Sequence, residues 1–393
     1  MKITMFANYA DPQILPFCRT LARETKGAFT LAATEPFSRD LLAFGWKDTN
    51  QEPYVRKLYE TKDSLRAAQS LAADSDVLIY AHCPGEYFDL CVRSGKPVFR
   101  FSQHIYRNGD LKHIPLKMKT SYFLHHTVAL KNKPVYLMCI GTYTAQDFSL
   151  TGSYSGRMFE FGEFPELLPF EGKGAGERMT VLWANEYIPS AHPETFLDLI
   201  RKLPEDSRKG LKFRMVGKGS LQEEILRRIE TDQLPVHVDV LRSQDDLYEA
   251  LKGADIYVMS SDYNEGWGNT LNLAMNFEAA PVVSTAVGSN KLIDPFRTGM
   301  LYEYGNTDAL VGCVEELSHS LEKTREMGRR AAVSLQKTWN GETGALRFLQ
   351  LVSALADHQT SPFHEGLCSP ARIVTQKERI LASRGIRNGE SMK

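Results

Sequence analysis

The chain has 393 residues, which is more than one hydrophobic core usually holds, so its length favours two domains of roughly 100–200 residues each. Hydrophobic residues make up 42% and charged residues 24% of the chain, as in an ordinary globular protein. The net charge of −1 and a pI near 6.8 provide no basic field, which argues against nucleic acid as the main partner.

The six cysteines are scattered, with no Cys-x-x-Cys pair and no Cys/His cluster at zinc spacing. This pattern predicts reduced thiols rather than disulfides or a metal site. No apolar run reaches the ~18 residues that a membrane span needs, and the N-terminal apolar stretch is too short for a signal peptide. We therefore expect a cytoplasmic protein.

Strands alternate with helices from the N-terminus onward. Buried strands are predicted at 2–7, 29–33, 76–81, 97–101 and 135–139, with helices at about 13–26, at 61–73 and through 147. This alternation is typical of a doubly wound α/β domain with a parallel sheet. His82 and His104 each follow a buried strand, where side chains of such a sheet meet a ligand.

The segment 162–178 interrupts this alternation with two prolines followed by Gly172, Gly174 and Gly176, which predicts an interdomain linker. The alternation then restarts, with strands at 181–183, 213–216, 236–241, 256–259 and 281–284 and helices at about 193–203, 221–229 and 245–252. The predicted organisation is an N-terminal domain at 1–165, a linker at 166–178, a second domain at 179–340 and a C-terminal segment at 341–393. Two such domains joined by a flexible hinge form a cleft between their facing carboxyl edges.

The stretch 254–293 contains the clearest candidate for a ligand site. A buried strand ends in Ser260 and Ser261, and a polar loop leads to Gly266-Trp267-Gly268. Asn269 and Thr270 are suitable N-cap residues for the helix that follows. Open α/β sheets bind ligands at this edge, and the free amides of a helix N-terminus suit an anion. Gly217-Lys218-Gly219, after another strand, is a second turn that a phosphate could approach.

Three pieces of sequence resemble a known family: EGWGNTLNLAM, PVVSTAVGS and TGMLYEYGNTDAL. They are similar to the donor-binding half of the GT-B glycosyltransferases, the large retaining group called family 4. The resemblance covers about 180–339 well and the first domain loosely. It implies an α/β fold of two doubly wound, Rossmann-like domains facing across a cleft, with a helix in 341–393 that crosses back to the first domain, ahead of a tail.

The activity implied by the resemblance is that of a hexosyltransferase. Such an enzyme moves a sugar from a nucleotide-sugar donor to an acceptor hydroxyl, with retention, in polysaccharide or glycan assembly. The nucleotide sugar is a co-substrate, and the resemblance implies neither a metal nor another cofactor. The implied acceptor is a glycan or a lipid-linked molecule.

The resemblance also assigns roles to individual residues. Glu265 positions the donor sugar, and His104 or, as second choice, His82 contacts it near the reacting carbon. The donor-binding set is Gly217, Lys218, Gly219, Arg242, Ser261, Asn264, Gly266, Trp267, Gly268, Asn269 and Thr270. Each residue also has an ordinary interpretation, as a solvated loop acid, a hydrogen-bonded loop histidine or part of a tight turn.

Three positions depart from the family pattern. Leu273 stands where the family has a second glutamate, which commonly holds the ribose. Glu186 and Ala191 occupy the positions of an arginine and a lysine that offset the charge of the diphosphate. These departures support an alternative: a catalytically impaired glycosyltransferase-like subunit that acts as partner, scaffold or glycan-binding module.

A basic and partly amphipathic segment allows two interpretations. It contains Arg107, Lys112, His113, Lys117 and Lys119 among apolar residues. Such a segment could make a peripheral contact with the inner face of a membrane. It could equally be a solvated helix face.

Overall fold

The computed structural model describes residues 1–105, 116–174, 176 and 178–385. These residues form two compact units. The first contains 1–105, 116–166 and 338–373, and the second contains 167–337 and 374–385. The domain limits inferred from the sequence stay a prediction.

The first unit is built on a parallel sheet. Its strands within the described residues are β1 Ile3–Ala7, β2 Phe29–Ala33, β3 Val55–Lys57, β4 Val77–Ala81, β5 Val98–Ser102, β6 Val135–Ile140 and β7 Met158–Phe161. They lie in the order β3-β2-β1-β4-β5-β6-β7, and every neighbouring pair is parallel. The inner strand β1 is buried along its whole length, as expected of a strand covered on both faces.

Six α-helices of the first unit lie before residue 150 in the described chain. They are α1 Leu15–Glu24, α2 Arg39–Ala43, α3 Ser64–Ala73, α4 Gly85–Arg93, α5 Leu116–Tyr122 and α6 Thr144–Ser149. A π-helical segment, Phe123–Val128, follows α5 directly. α1 begins after a turn capped by Asp11, whose side chain accepts a hydrogen bond from the Gln13 amide.

The second unit has its own parallel sheet. Its strands among the described residues are β8 Met179–Ala184, β9 Leu211–Gly217, β10 Val236–Val240, β11 Ile256–Met259, β12 Ala280–Ser284 and β13 Met300–Tyr302. The order is β10-β9-β8-β11-β12-β13, again with parallel neighbours. The helices are α7 Pro193–Lys202, α8 Glu205–Lys209, α9 Gln222–Thr231, α10 Gln244–Lys252, α11 Thr270–Asn276, α12 Thr307–Ser318 and α13 Leu321–Thr338.

The chain then returns to each unit in turn. α14, Gly341–Ala356, packs on α1 of the first unit, where the fully buried ring of Phe348 lies 5.8 Å from that of Phe17. α15, Gln376–Ser383, lies on the second unit, where the Arg384 guanidinium pairs with the Glu303 carboxylate at 2.9 Å. The C-terminal segment therefore contacts both units, and α14 adds to the core of the first.

These two parallel sheets confirm the predicted α/β class. The sequence did not predict three short strands, β3, β7 and β13, which lie at sheet edges and have no long apolar run. It also left α15 unassigned. A capping box signals this helix, because Thr375 accepts from the Glu378 amide while the Glu378 side chain accepts from the Thr375 amide.

The described part of the predicted linker lies against the second unit. The Phe170 ring meets the Phe277 ring edge-on, with their centres 5.6 Å apart. Nζ of Lys173 donates to the carbonyl of Lys252 at 3.2 Å, and burial lowers the pKa of Lys173 to about 8. This piece of chain is held by side-chain contacts rather than left as a free spacer.

The described residues contain neither a membrane-spanning helix nor a cluster of metal ligands. None of their helices is long and apolar enough to cross a membrane. No group of three or more His, Cys, Asp or Glu side chains among them is arranged to hold a metal ion. Of the basic segment, Arg107, Lys112 and His113 lie outside the described residues, whereas Lys117 and Lys119 lie on α5.

Candidate functional site

The candidate site of the second unit is built from loops at the carboxyl edge of its sheet. β9, β8, β11 and β12 are neighbours, so the loops that follow them meet at one edge. Asn185 follows β8, and Ser260 and Ser261 follow β11. Ligands of open parallel sheets bind at this edge.

Glu265 is held in this edge by neighbouring polar side chains. Nδ2 of Asn185 donates to its Oε2 at 3.2 Å, and the Ser261 hydroxyl also hydrogen-bonds to its carboxylate. Burial raises the pKa of Glu265, the two hydrogen bonds counteract that rise, and the charges of Glu186 and Asp262 add to it. The result is a fixed carboxyl group in an acidic surrounding.

The loop Gly266-Trp267-Gly268 is fastened to the segment that follows β12. The Gly288 amide donates to the Gly266 carbonyl at 2.8 Å, and the Ser289 amide donates to the Trp267 carbonyl at 2.9 Å. A Cβ on Gly288 would lie 2.2 Å from the Gly266 oxygen, so only glycine permits this approach. The two loops therefore form one rigid element beside Glu265.

The side chains of Trp267 and Leu273 lie in the interior. Trp267 is 1% exposed, and its Nε1 donates to Oδ1 of Asn272 at 2.8 Å. Leu273 is 6% exposed on α11. The position of the family's second glutamate thus carries an apolar side chain that packs the helix, and Trp267 can offer a ligand only its backbone.

The start of α11 differs in one respect from the prediction. Asn269 occupies the N-cap position, but its side chain makes no capping hydrogen bond, because its backbone is already helical, with φ −60° and ψ −25°. Asn269 is thus the N-cap residue by position, as predicted, without the side-chain hydrogen bond that usually accompanies it. The Thr270 side chain hydrogen-bonds to the hydroxyl of Tyr257.

The Gly217-Lys218-Gly219 turn packs against the loop after β8. A Cβ on Gly217 would lie 2.3 Å from the Asn185 carbonyl oxygen, and the Tyr187 amide donates to the Lys218 carbonyl at 2.9 Å. Glycine is needed at position 217 for this contact between loops, whether or not a phosphate approaches. The side chain of Lys218 is exposed.

Two further predicted donor-binding residues lie at the surface of this unit. The side chain of Arg242 is exposed, and its backbone amide donates to Oδ2 of Asp246 at 3.0 Å. Asn264 is also exposed, and both its backbone amide and Nδ2 donate to the Asp262 carboxylate. These contacts hold the two loops in place. Neither of them joins two of the predicted donor-binding residues.

His192 lies at the centre of a network in the loop where the family has basic residues. It has the left-handed φ of 49°, and its Nδ1 lies 2.7 Å from Oε1 of Glu194. Its Nε2 lies 3.4 Å from Oδ2 of Asp262 and 3.0 Å from the Tyr304 hydroxyl. The hydrogen bond to Glu194 raises the pKa of His192 and so favours the imidazolium form. The carboxylates of Glu194 and Asp262 both lie beside the ring and would pair with its charge.

Several residues of this edge were not among the predicted site residues. Asn185 directly follows a buried strand, which is the signal that could have identified it. Arg379 comes from α15 and donates through Nη2 to the Asn290 carbonyl at 2.6 Å. It thus brings a guanidinium to the segment that is fastened to Gly266 and Trp267.

In the first unit, the two predicted histidines differ in their surroundings. His82 lines a cavity of about 460 Å³ at the carboxyl edge of β4 and β5, together with Asn8. It has a left-handed φ of 40°, and its carbonyl accepts from the Asn8 amide at 3.0 Å. His104 is only 6% exposed and is not part of that lining. Within this unit, His82 lines the cavity and His104 does not.

One family model matches most of the second unit. Residues 168–333 match the family model described as "Glycosyl transferases group 1". No curated protein sequence matches the chain.

Three solved structures share the fold of the chain. HepE (Alr3699) of Anabaena in complex with UDP has a TM-score of 0.67 at 14% identity, over 90% of this chain and 100% of that one. A glycosyltransferase from Rickettsia africae has a TM-score of 0.63 at 11% identity, over 91% and 99% of the two chains. WaaG, a glycosyltransferase involved in lipopolysaccharide biosynthesis, has a TM-score of 0.58 at 12% identity, over 86% and 96%.

The fold is therefore that of the GT-B glycosyltransferases, with two parallel α/β sheets. The match to the group 1 glycosyl transferase model covers residues 168–333, nearly the whole of the segment 167–337 of the second unit. The family resemblance read from the sequence is confirmed.

Proposed function

We propose that this protein transfers a sugar from a uridine-diphosphate donor to an acceptor hydroxyl, with retention of configuration. The observation that carries the proposal is the fixed position of Glu265, held by Asn185 and Ser261 beside the glycine loop at the carboxyl edge of a group 1 domain. The uridine base is proposed because HepE has been solved with UDP and with UDP-glucose.

In the proposed reaction, Glu265 accepts hydrogen bonds from hydroxyls of the donor sugar. The bond between the sugar's anomeric carbon and the diphosphate oxygen breaks, and a bond from that carbon to the acceptor oxygen forms on the same face. The proton of the acceptor hydroxyl passes to the departing diphosphate, so the protein need not supply a strong base. Fixed cations stabilise the charge that develops on the diphosphate, and Lys218 and His192 are the candidates on the nearest loops.

A glycan or lipid-linked acceptor in polysaccharide assembly is the proposed setting, since WaaG is described as acting in lipopolysaccharide biosynthesis. The first unit exposes apolar side chains beside lysines on α5 and the π-helical segment. Leu116 is 78% exposed and Phe123 47% exposed, next to Lys117 and Lys119. Such a surface could contact an anionic membrane. Sedimentation with vesicles rich in anionic lipid, compared with neutral vesicles and with Leu116→Ser/Phe123→Ser, tests this contact.

Calorimetric titration with the diphosphates of uridine, guanosine, adenosine and thymidine, and with their sugars, tests the donor proposal. We expect UDP to bind with a dissociation constant on the order of micromolar. The Glu265→Ala variant should weaken binding of the UDP-sugar and leave UDP unchanged, because Glu265 contacts only the sugar. NMR of the product's anomeric proton reports retention. If none of the nucleotides binds, the proposal is wrong.

A second function has support from the same geometry. The carboxylates of Glu186 and Asp262 surround Glu265, and Leu273 cannot hold a ribose. These features favour a glycosyltransferase-like subunit with impaired catalysis. Binding of the UDP-sugar without release or transfer of its sugar, under conditions where a related glycosyltransferase is active, would favour this second function.

A further inference from the structure

The cavity of the first unit contains a cation, Arg100, that pairs with no carboxylate among the described residues. Arg100, on β5, lines this 460 Å³ space together with Asn8, Tyr80, His82 and Ser102. A volume of this size is typical of a small-molecule site. Nothing in the proposed roles of Glu265 or the donor loops involves this cavity, since all of its lining belongs to the first unit.

Within the described part of the chain, the Arg100 guanidinium contacts neutral groups. Nη1 lies 3.0 Å from Nδ1 of His126 and 3.3 Å from the Tyr154 hydroxyl. The guanidinium also lies over the rings of Phe88 and Phe148, at 5.3 and 5.5 Å from their centres.

No carboxylate among the described residues forms an ion pair with Arg100, and its Nε is buried without a hydrogen-bond partner. Burial lowers the pKa of His126 to about 3, and the charge of Arg100 lowers it further, so this neighbour stays neutral.

A half-buried guanidinium with neutral neighbours is unusual, because arginine is always charged and buried charges are normally paired. The cost of desolvating the charge is recovered only when an anion completes the site. The planar fork of arginine matches the two oxygens of a carboxylate or phosphate. Glu35, the carboxylate in the cavity lining, is exposed and makes no ion pair with Arg100.

We infer that this cavity binds an anionic group carried by the sugar acceptor, a carboxylate or a phosphate, with Arg100 as its counter-ion. The cavity is larger than a lone anion needs, and Asn8, Tyr80 and Ser102 line it with polar groups suited to sugar hydroxyls. That the ligand is the acceptor rests on the proposed function; that it is an anionic sugar rests on the cavity alone.

The test is a titration of the protein with three sugars: glucose 6-phosphate, glucuronate and glucose. Wild-type protein should bind at least one of the two anionic sugars about tenfold more tightly than glucose, since hydrogen bonds to charged groups are the stronger ones. Preference between the first two distinguishes a phosphate-bearing from a carboxylate-bearing acceptor. Equal binding of all three, or no binding of either anionic sugar, overturns the inference.

Variants assign the preference to Arg100. Arg100→Gln should lose the preference for the anionic sugar, and Arg100→Lys, which keeps the charge without the fork, should retain part of it. Arg66→Gln, an exposed arginine on α3 of the same unit, is the matched control and should bind like wild type. If Arg100→Gln does not fold, as judged by thermal unfolding, the comparison of the three sugars on wild type and Arg100→Lys still shows whether Arg100 causes the preference for anionic sugars.

Titration with UDP on the same samples separates this inference from the proposed function. Loss of the anionic preference with unchanged UDP binding supports the assignment to Arg100. A protein that binds anionic sugars but no nucleotide would refute the transferase proposal and leave the anion site standing. Retention of the preference in Arg100→Gln would refute the role of Arg100.

Discussion

At the scale of one side chain, burial of the Glu265 carboxyl group lowers the stability of the fold at neutral pH in a position that suits ligand binding. Burial raises its pKa above the ordinary value of 4.5, so the native state binds this proton more tightly than the unfolded chain does. The stabilisation from the protonated form is fully present below pH 4.5 and is lost as the pH rises through the raised pKa. An acidic side chain kept in such a place is typical of a functional site.

The first prediction concerns Glu265→Gln, which removes this charge and keeps the shape. The variant should unfold at a temperature about 2–4 °C higher at pH 7 and show a weaker pH dependence of stability. Its sugar transfer should fall by about tenfold or more, because a neutral amide accepts weaker hydrogen bonds. Thermal unfolding across pH and an assay of UDP release measure the two effects. Glu223→Gln, an exposed glutamate on α9, should change neither; a destabilised Glu265→Gln at pH 7 would contradict the argument.

The second prediction tests the close approach of two loops. Gly288→Ala places a methyl group 2.2 Å from the Gly266 oxygen, which forces the loops apart. We expect a loss of about 1–3 kcal/mol in the free energy of unfolding, measured in denaturant, and weaker binding of UDP.

The control for this substitution is Gly312→Ala on α12, where no atom lies within 4 Å of the added methyl group. A glycine in a helix costs stability relative to alanine, so this variant should be slightly more stable, by up to about 1 kcal/mol. If both variants behave alike, steric contact at position 288 is not the cause.

At the scale of elements, α14 completes the core of the first unit. The ring of Phe348 lies 4.9 Å from that of Phe99 on β5 and 5.8 Å from that of Phe17 on α1. Phe348→Ala should lower the free energy of unfolding by about 3–5 kcal/mol, because it leaves a cavity among these rings. Leu346→Ala on the same helix, at a side chain that is 39% exposed, should cost much less. Denaturant unfolding of both variants gives the comparison.

α15 lies beside the candidate donor site and fixes one of its loops. Its Arg379 holds the Asn290 carbonyl, two residues beyond the glycine that contacts Gly266. Arg379→Met should weaken UDP binding by roughly three- to tenfold, since losing one charged hydrogen bond loosens that segment. Lys377→Met, an exposed lysine on the same helix, is the control. Calorimetry should show a difference between the two variants; equal affinities would remove α15 from the site.

At the scale of the whole molecule, the C-terminal segment determines whether the first unit is complete. Residues 338–373 belong to that unit although they follow the entire sheet of the second. A chain ending at residue 337 should lose hydrogen-exchange protection in β1, β4 and β5, because it lacks α14. It also lacks α15, but that helix packs beside the edge strand β13, so the inner strands β8 and β11 should keep their protection. Retained protection in β1 would contradict this dependence.

The sequence by itself determined the α/β class and most of the central strands. β2 and β11 begin and end where their apolar runs do, because a strand buried on both faces needs a continuous run of such residues. It also predicted that Glu265 lies in a polar loop after a buried strand, as it does after β11. The edge strands β3 and β13 have three residues each, too few to produce a pattern.

Only the tertiary structure decided which side chains meet. Asn185 and Glu265 are 80 residues apart, Arg100 and Tyr154 are 54 apart, and Arg379 and Asn290 are 89 apart. Local patterns extend over a few residues, whereas each of these contacts depends on the order of strands in a sheet or on the return of a C-terminal helix. The apolar runs therefore specify the elements, and packing between distant parts of the chain specifies the charge environment of Glu265 and of Arg100.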